Sequence, residues 1–124
     1  MTPTTPGALP KYLNTRVEIG GRVFASKRQA RRWRELELLE RAGEIAGLTF
    51  EPVFILEPRT LSGSGKTRRI LRAVKYVADA GYQEVATGKM IAEDVKGGAA
   101  AQTPVFRLKA RLFAARFTDV ELRV

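Results

Sequence analysis

The 124-residue chain has no cysteine and no histidine. Without thiolate or imidazole there is no disulfide framework, no zinc site built from those ligands, and no cysteine or histidine nucleophile or base. Any metal has to be held by carboxylates, backbone carbonyls and water, a donor set that suits magnesium, manganese or calcium. Zinc fingers, histidine-based nucleases and triad hydrolases are excluded on the same ground. No apolar run reaches the length of a membrane span, so no membrane partner is expected. Repeats and long polar linkers are missing as well, which leaves one compact domain over residues 15–124 behind a loose arm at residues 1–14. That arm, MTPTTPGALPKYLN, lacks the basic-then-apolar layout of a secretion signal, and the protein is expected to stay in the cytoplasm.

Acidic residues are also in short supply. Thirteen Asp and Glu stand against 22 Lys and Arg, a formal charge of +9, and such an excess points to a polyanionic partner. The cations gather at Lys27 to Arg34, Lys66 to Lys75 and Arg107 to Arg116. Hydrophobic residues make up 44% of the chain, enough for a folded core rather than a disordered tail.

Several elements can be read locally. VEIGGRVF alternates around a Gly-Gly pair and predicts a small hairpin. In SKRQARRWRELELLERAGEI, Ser26 caps a helix with Gln29 three residues later, and Ala30, Trp33, Leu36 and Leu39 recur at helical spacing until Gly43. LTFEPVFILEP reads as a strand bent at Pro52. RRILRAVKYVADAGY fits a strand or one face of a helix equally well. KMIAEDVKGG predicts a short strand that leaves the core at its charged end and stops at Gly97 and Gly98. Thr103 and Pro104 then open a helix with Val105, Leu108, Leu112 and Ala115 on its expected inner face, and DVELRV closes the chain as a strand.

The stretch LSGSGKTRR, Leu61 to Arg69, resembles a phosphate-binding loop. Such a loop needs a glycine five positions before its Gly-Lys pair, and Thr60 stands there. A chain this short also has no room for the several βαβ units of a nucleotide-binding core. A mobile basic turn is the expectation, with no nucleotide cofactor.

Two acids stand apart: Asp79 after the apolar YVA, and Asp94 in AEDVKG. Side chains alternate along a strand, so Asp94 and Lys96 share one face while Glu93 and Val95 take the other. With Asp79 beside them, two carboxylates and a lysine at a strand end could bind a magnesium ion and place a water against a phosphate.

Asp79, Asp94 and Lys96, with the order of elements, resemble the PD-(D/E)xK nuclease superfamily. FASKRQARRWRELELLERAGEI, KYVADAGY, AEDVKGG and FRLKARLF are similar, more closely, to a family of small phage and prophage proteins placed in that superfamily, relatives of Holliday-junction resolvases. The resemblance runs from about Tyr12 to Val124. It implies an α/β fold, a restriction-endonuclease-like αβββαβ core with a small mixed sheet flanked by helices, and it makes residues 69–79 a strand. It further implies Asp79, Asp94 and the Val95 carbonyl as ligands of Mg2+ or Mn2+, and Lys96 as the residue that orients or activates the attacking water. The implied activity is hydrolysis of branched DNA in recombination, by a phage- or prophage-encoded homodimer in a bacterial host cell. The alternative is a catalytically weak or inactive DNA-binding accessory protein on the same fold.

This chain departs from the family at two points, Gln29 where a glutamate is usual and Ala80 where an aromatic residue is usual. At about 100° per residue Gln29 shares a face with Trp33 and Leu36 and points toward the sheet, so it joins the candidate catalytic set. Lys27, Arg28, Arg31 and Arg32 on the first helix, Lys66, Arg68 and Arg69 in the turn, and Arg107, Lys109 and Arg111 on the second helix are the candidate DNA contacts.

Overall fold

A computed structural model describes residues 16–95 and 102–124. The N-terminal arm, Lys96, Gly97 and Gly98 lie outside the described residues. Strands β1 (Val17–Ile19) and β2 (Arg22–Phe24) form the first hairpin. Its turn residues Gly20 and Gly21 both have positive φ, +59° and +81°, the conformation a two-residue hairpin turn demands. Helix α1 (Lys27–Arg41) follows, with the Ser26 side chain accepting from the Gln29 N–H. Gly43 just beyond it has φ +81°, and the N–H groups of Gly43 and Glu44 return to the carbonyls of Glu40 and Leu39, closing the helix end as glycine does best.

Strands β3 (Ile45–Phe50) and β4 (Val53–Glu57) are separated by a kink at Glu51 and Pro52. Proline cannot donate there, and Glu51 takes φ +48°, a costly setting for a side-chain-bearing residue. The chain continues through β5 (Thr60–Ser62), a short turn of 3-10 helix at Gly65–Thr67, β6 (Arg69–Leu71) and β7 (Val74–Val77). The segment that fits both periodicities is extended, but it is not the single strand over 69–79 that the resemblance implied: it breaks at Arg72 and Ala73 into β6, paired with β5, and β7, paired with β4. β8 (Ala80–Glu84), β9 (Met90–Glu93), α2 (Pro104–Arg116) and β10 (Val120–Arg123) complete the fold.

This is an α/β protein built on a mixed four-stranded sheet in the order β10-β9-β8-β3. β3 and β8, and β8 and β9, pair antiparallel, whereas β10 pairs parallel with β9. The parallel pair needs a crossover, and α2 supplies it. Successive β9 residues serve opposite cores. Ile91 packs with Phe24, Trp33 and Leu36 under α1, while Ala92 packs with Tyr76, Phe106 and Phe113 under α2.

The inner face of α2 differs from expectation. Phe106 and Phe113 are buried, whereas Val105 and Leu108 are exposed. Both sets recur at helical spacing, so periodicity cannot choose between them. Tertiary packing chooses the aromatic set, because each ring covers more apolar area than an aliphatic side chain and finds ring partners. Phe113 stacks edge-on to Phe54 at 4.8 Å and to Tyr76 at 5.8 Å between ring centroids.

The GSGKT turn is built rather than loose. Gly63 and Gly65 have φ +82° and +56°, and a Cβ on Gly63 would lie 2.5 Å from the Thr67 carbonyl oxygen. Thr67 Oγ1 donates to the Ser64 carbonyl at 2.7 Å and accepts from the Ser64 N–H at 3.3 Å. The glycines therefore meet a steric demand, and a strand follows the turn.

Candidate active site

The kink that ends β3 and β7 carries Asp79 to the C-terminal end of β9. Its backbone is tied on both sides: the Asp79 N–H donates to the Glu93 carbonyl at 2.9 Å, and its carbonyl accepts from the strained Glu51 N–H at 3.1 Å. The Asp79 carboxylate accepts from the Val95 N–H at 2.6 Å through Oδ2, and from Gln29 Nε2 at 2.9 Å through Oδ1. The Asp79 carboxylate is thus held at the Asp94–Val95 strand end. Lys96, the next residue of that constellation, falls outside the described residues.

Gln29 is buried, 7% exposed, and its amide is held at both ends. Its oxygen accepts from the Ala25 N–H at 2.8 Å, which turns the NH2 end onto Asp79. A metal ligand at this position would have to present oxygen, and Gln29 presents hydrogen. Only the Ser26 half of the capping box is present, because the Gln29 oxygen bonds the Ala25 N–H rather than the Ser26 N–H while its amide nitrogen donates to Asp79.

Asp94 is held from the other layer. The buried Tyr76 hydroxyl donates to Asp94 Oδ2 in a short hydrogen bond, and the Asp94 N–H donates to the Arg123 carbonyl at 2.8 Å. Burial first, and then the bond to Asp94, push the Tyr76 hydroxyl far above the usual tyrosine range, so Tyr76 stays a proton donor at any working pH. The sequence offered one signal for it: a tyrosine at an inward position of a strand leading to Asp79.

Glu93 is the residue that the motif hid. It is 8% exposed and takes a two-pronged contact from Arg32, Nε at 2.7 Å and Nη2 at 2.9 Å, with the Tyr82 hydroxyl at 2.7 Å. Burial favours its neutral form, but the Arg32 guanidinium and the Tyr82 hydroxyl outweigh that and hold Glu93 below the usual carboxylate range. A buried carboxylate survives only with such partners. Arg32, expected at the DNA, is accordingly committed to Glu93 and to Glu35 at 3.3 Å.

Arg28, Arg31 and Arg32 wall an open recess of about 360 Å3 whose other side is Glu93, Asp94 and Val95. Lys27 and Arg31 are solvent-exposed on α1. The other candidate contacts stand elsewhere, since Lys66, Arg68 and Arg69 belong to the β5–β6 turn, and Arg107, Lys109 and Arg111 to α2 under the opposite face of the sheet.

Among the described residues no three acidic side chains gather to hold a metal ion. The donors present are two carboxylates and a backbone carbonyl, and Mg2+ is commonly held by one or two carboxylates with water filling the rest of its shell. By chemistry these oxygens are of the kind a hard divalent ion takes. Among the described residues no helix is long and apolar enough to cross a membrane. Residues 9–124 match the family described as "Protein of unknown function (DUF1064)". No curated protein and no solved structure matches the chain.

Proposed function

We propose that this chain, which belongs to the DUF1064 family, is a metal-dependent endonuclease acting on branched DNA. The observation that carries the reading is the Asp79 carboxylate held on the Val95 N–H, next in sequence to Asp94, at a strand end whose Glu93, Asp94 and Val95 line a recess with Arg28 and Arg31. The order α1, β3, β8, β9, α2, β10, with β10 parallel to β9, supports a restriction-endonuclease-like αβββαβ core. Phosphate is the ligand that such cations and a hard metal site take in common.

Asp79, Asp94 and the Val95 carbonyl would hold Mg2+ or Mn2+, which when bound supplies positive charge for the phosphate and a more acidic water. The chain does the positioning. Gln29 and Tyr76 each donate to one of the two acids, fixing their orientation from opposite sides of the sheet. Arg28 and Arg31 attract the DNA backbone to the recess mouth, and Lys96 orients the attacking water, the role its motif position carries. Cutting two opposed strands of a junction requires two sites, so the working form is a homodimer. Cytoplasmic action on phage DNA is part of the same reading.

One feature favours a binding-only protein on this fold: Gln29 gives the site a neutral donor where the family pattern has a carboxylate. The deciding assay incubates the protein with a labelled four-way junction and a linear duplex, in Mg2+, in Mn2+ and in chelator. Metal-dependent cutting lost on Asp94→Asn and Lys96→Ala is expected. Cutting that survives both substitutions, or none in either metal, overturns the enzyme reading.

A further inference from the structure

The strand-end site leaves the outer half of the long hairpin unexplained. The hairpin is pinned to α2 through Phe54, Leu56 and Tyr76, and no residue between Glu57 and Val74 belongs to either core. From Glu57 to Lys75 every residue is exposed except the half-buried Ser62 and Ala73. Residues 58–75 contain Arg59, Lys66, Arg68, Arg69, Arg72 and Lys75 and no acid, a local charge of +6 out of the chain's +9. A field of one sign on an exposed ribbon repels a second copy of the same ribbon and attracts a polyanion.

The ribbon also carries apolar surface where charge alone would not place it. Leu61 pairs across the ladder with Ile70, so both side chains stand on one face, 53% and 52% exposed. The built turn at Gly63–Thr67 holds Lys66 and Arg68 at the tip. A two-stranded ribbon is of a size to enter the DNA major groove. Apolar side chains that press on DNA act at base steps, and least costly are steps already unstacked, as at a branch point.

We infer that the β5–β6 ribbon is a DNA-gripping arm separate from the strand-end site, with its cations on phosphates and the Leu61–Ile70 pair against the unstacked bases of a branch. The inference rests on the DNA reading above and deepens it by assigning branch preference to residues that take no part in cutting.

The test is fluorescence anisotropy of the full chain in chelator, with a four-way junction and a linear duplex over a range of salt. The unmodified protein is expected to favour the junction by about tenfold, which is about 1.4 kcal/mol, the scale of covering two half-exposed aliphatic side chains. The double variant Leu61→Ser/Ile70→Ser is expected to bind junction only as well as duplex, its duplex affinity little changed. Lys66→Ala/Arg68→Ala/Arg69→Ala is expected to weaken both and to lower the salt slope by about two to three. All five positions lie outside the cores, and circular dichroism checks that the variants fold. Junction preference that persists in the double variant, or that is absent from the unmodified protein, overturns the inference. So does a DNA-free dimer that the double variant dissociates, since the apolar pair then serves a second copy. Because binding is read without metal, failure to cleave speaks to the strand-end site and not to the arm.

Discussion

Charge is handled in opposite ways at the end of β9 and on the β5–β6 ribbon. At the strand end the charged groups are buried or half-buried and partnered: Glu93 with Arg32 and Tyr82, Asp94 with Tyr76, and the half-buried Asp79 with Gln29 and the Val95 N–H. Across residues 58–75, which carry the ribbon, six cations stand in solvent with no acid among them. A buried charge acts through geometry and is costly to leave alone. An exposed charge acts through its field, and salt screens it. The first region can therefore place atoms, and the second can attract and grip.

The largest expected difference between the regions is in turnover. Asp79→Asn or Asp94→Asn should lower single-turnover cleavage by about a hundredfold or more, the scale of losing one group that stabilises a transition state, while junction binding in chelator stays within about twofold. Charge removal on the ribbon should do the reverse.

Stability comes next. Arg32→Met leaves Glu93 without its cation, and urea unfolding should show a loss of about 2–3 kcal/mol, below the 3–5 typical of a fully buried pair because Arg32 is partly exposed. Arg68→Met should stay within about 0.5 kcal/mol, as exposed substitutions do. The same contrast has a pH signature. The folded-state pKa of Glu93 lies below its unfolded value, so its stabilisation is present above the unfolded value and is lost as pH falls through the folded one. The urea midpoint should fall on the acid side of the ordinary glutamate range, and Arg32→Met should flatten that fall.

Gln29→Glu separates metal from scaffold. A carboxylate there can still accept from the Ala25 N–H, but it faces the Asp79 carboxylate with no hydrogen between them. In chelator the variant should melt roughly 3–6 °C lower, about 1 kcal/mol, and Mg2+ should restore it. If the melting temperature is the same with and without metal, Asp79 is no part of a metal site. Tyr76→Phe should lose about 1 kcal/mol in urea unfolding from the lost hydrogen bond to Asp94, accompanied by weaker Mn2+ binding in a metal titration.

Much of the scaffold is written in short-range chemistry. Ser26 and Gly43 bound α1, Gly20 and Gly21 make the first turn, and Thr103 with Pro104 opens α2, because caps and tight turns depend on residues three or four apart. Asp79 and Asp94 could be singled out as acids near strand ends, but that Asp79 meets the Val95 N–H depended on the pairing of β8 with β9. Elsewhere the local pattern was silent. Residues 69–77 fit two periodicities, and pairing with β4 and β5 made them strand. The α2 sequence carries two helical stripes, and the rings of Phe54 and Tyr76 selected the one with Phe106 and Phe113. Arg32 looked like a DNA contact until β9 brought Glu93 beneath it. The direction of the Gln29 amide required both Ala25 and Asp79, partners four and fifty residues away. The sequence by itself determined where elements start and stop, the supply of oxygen donors and the basic field. Which face each element buries, and which charges are spent on one another, only the tertiary structure decided, because both depend on groups distant in the chain meeting in space.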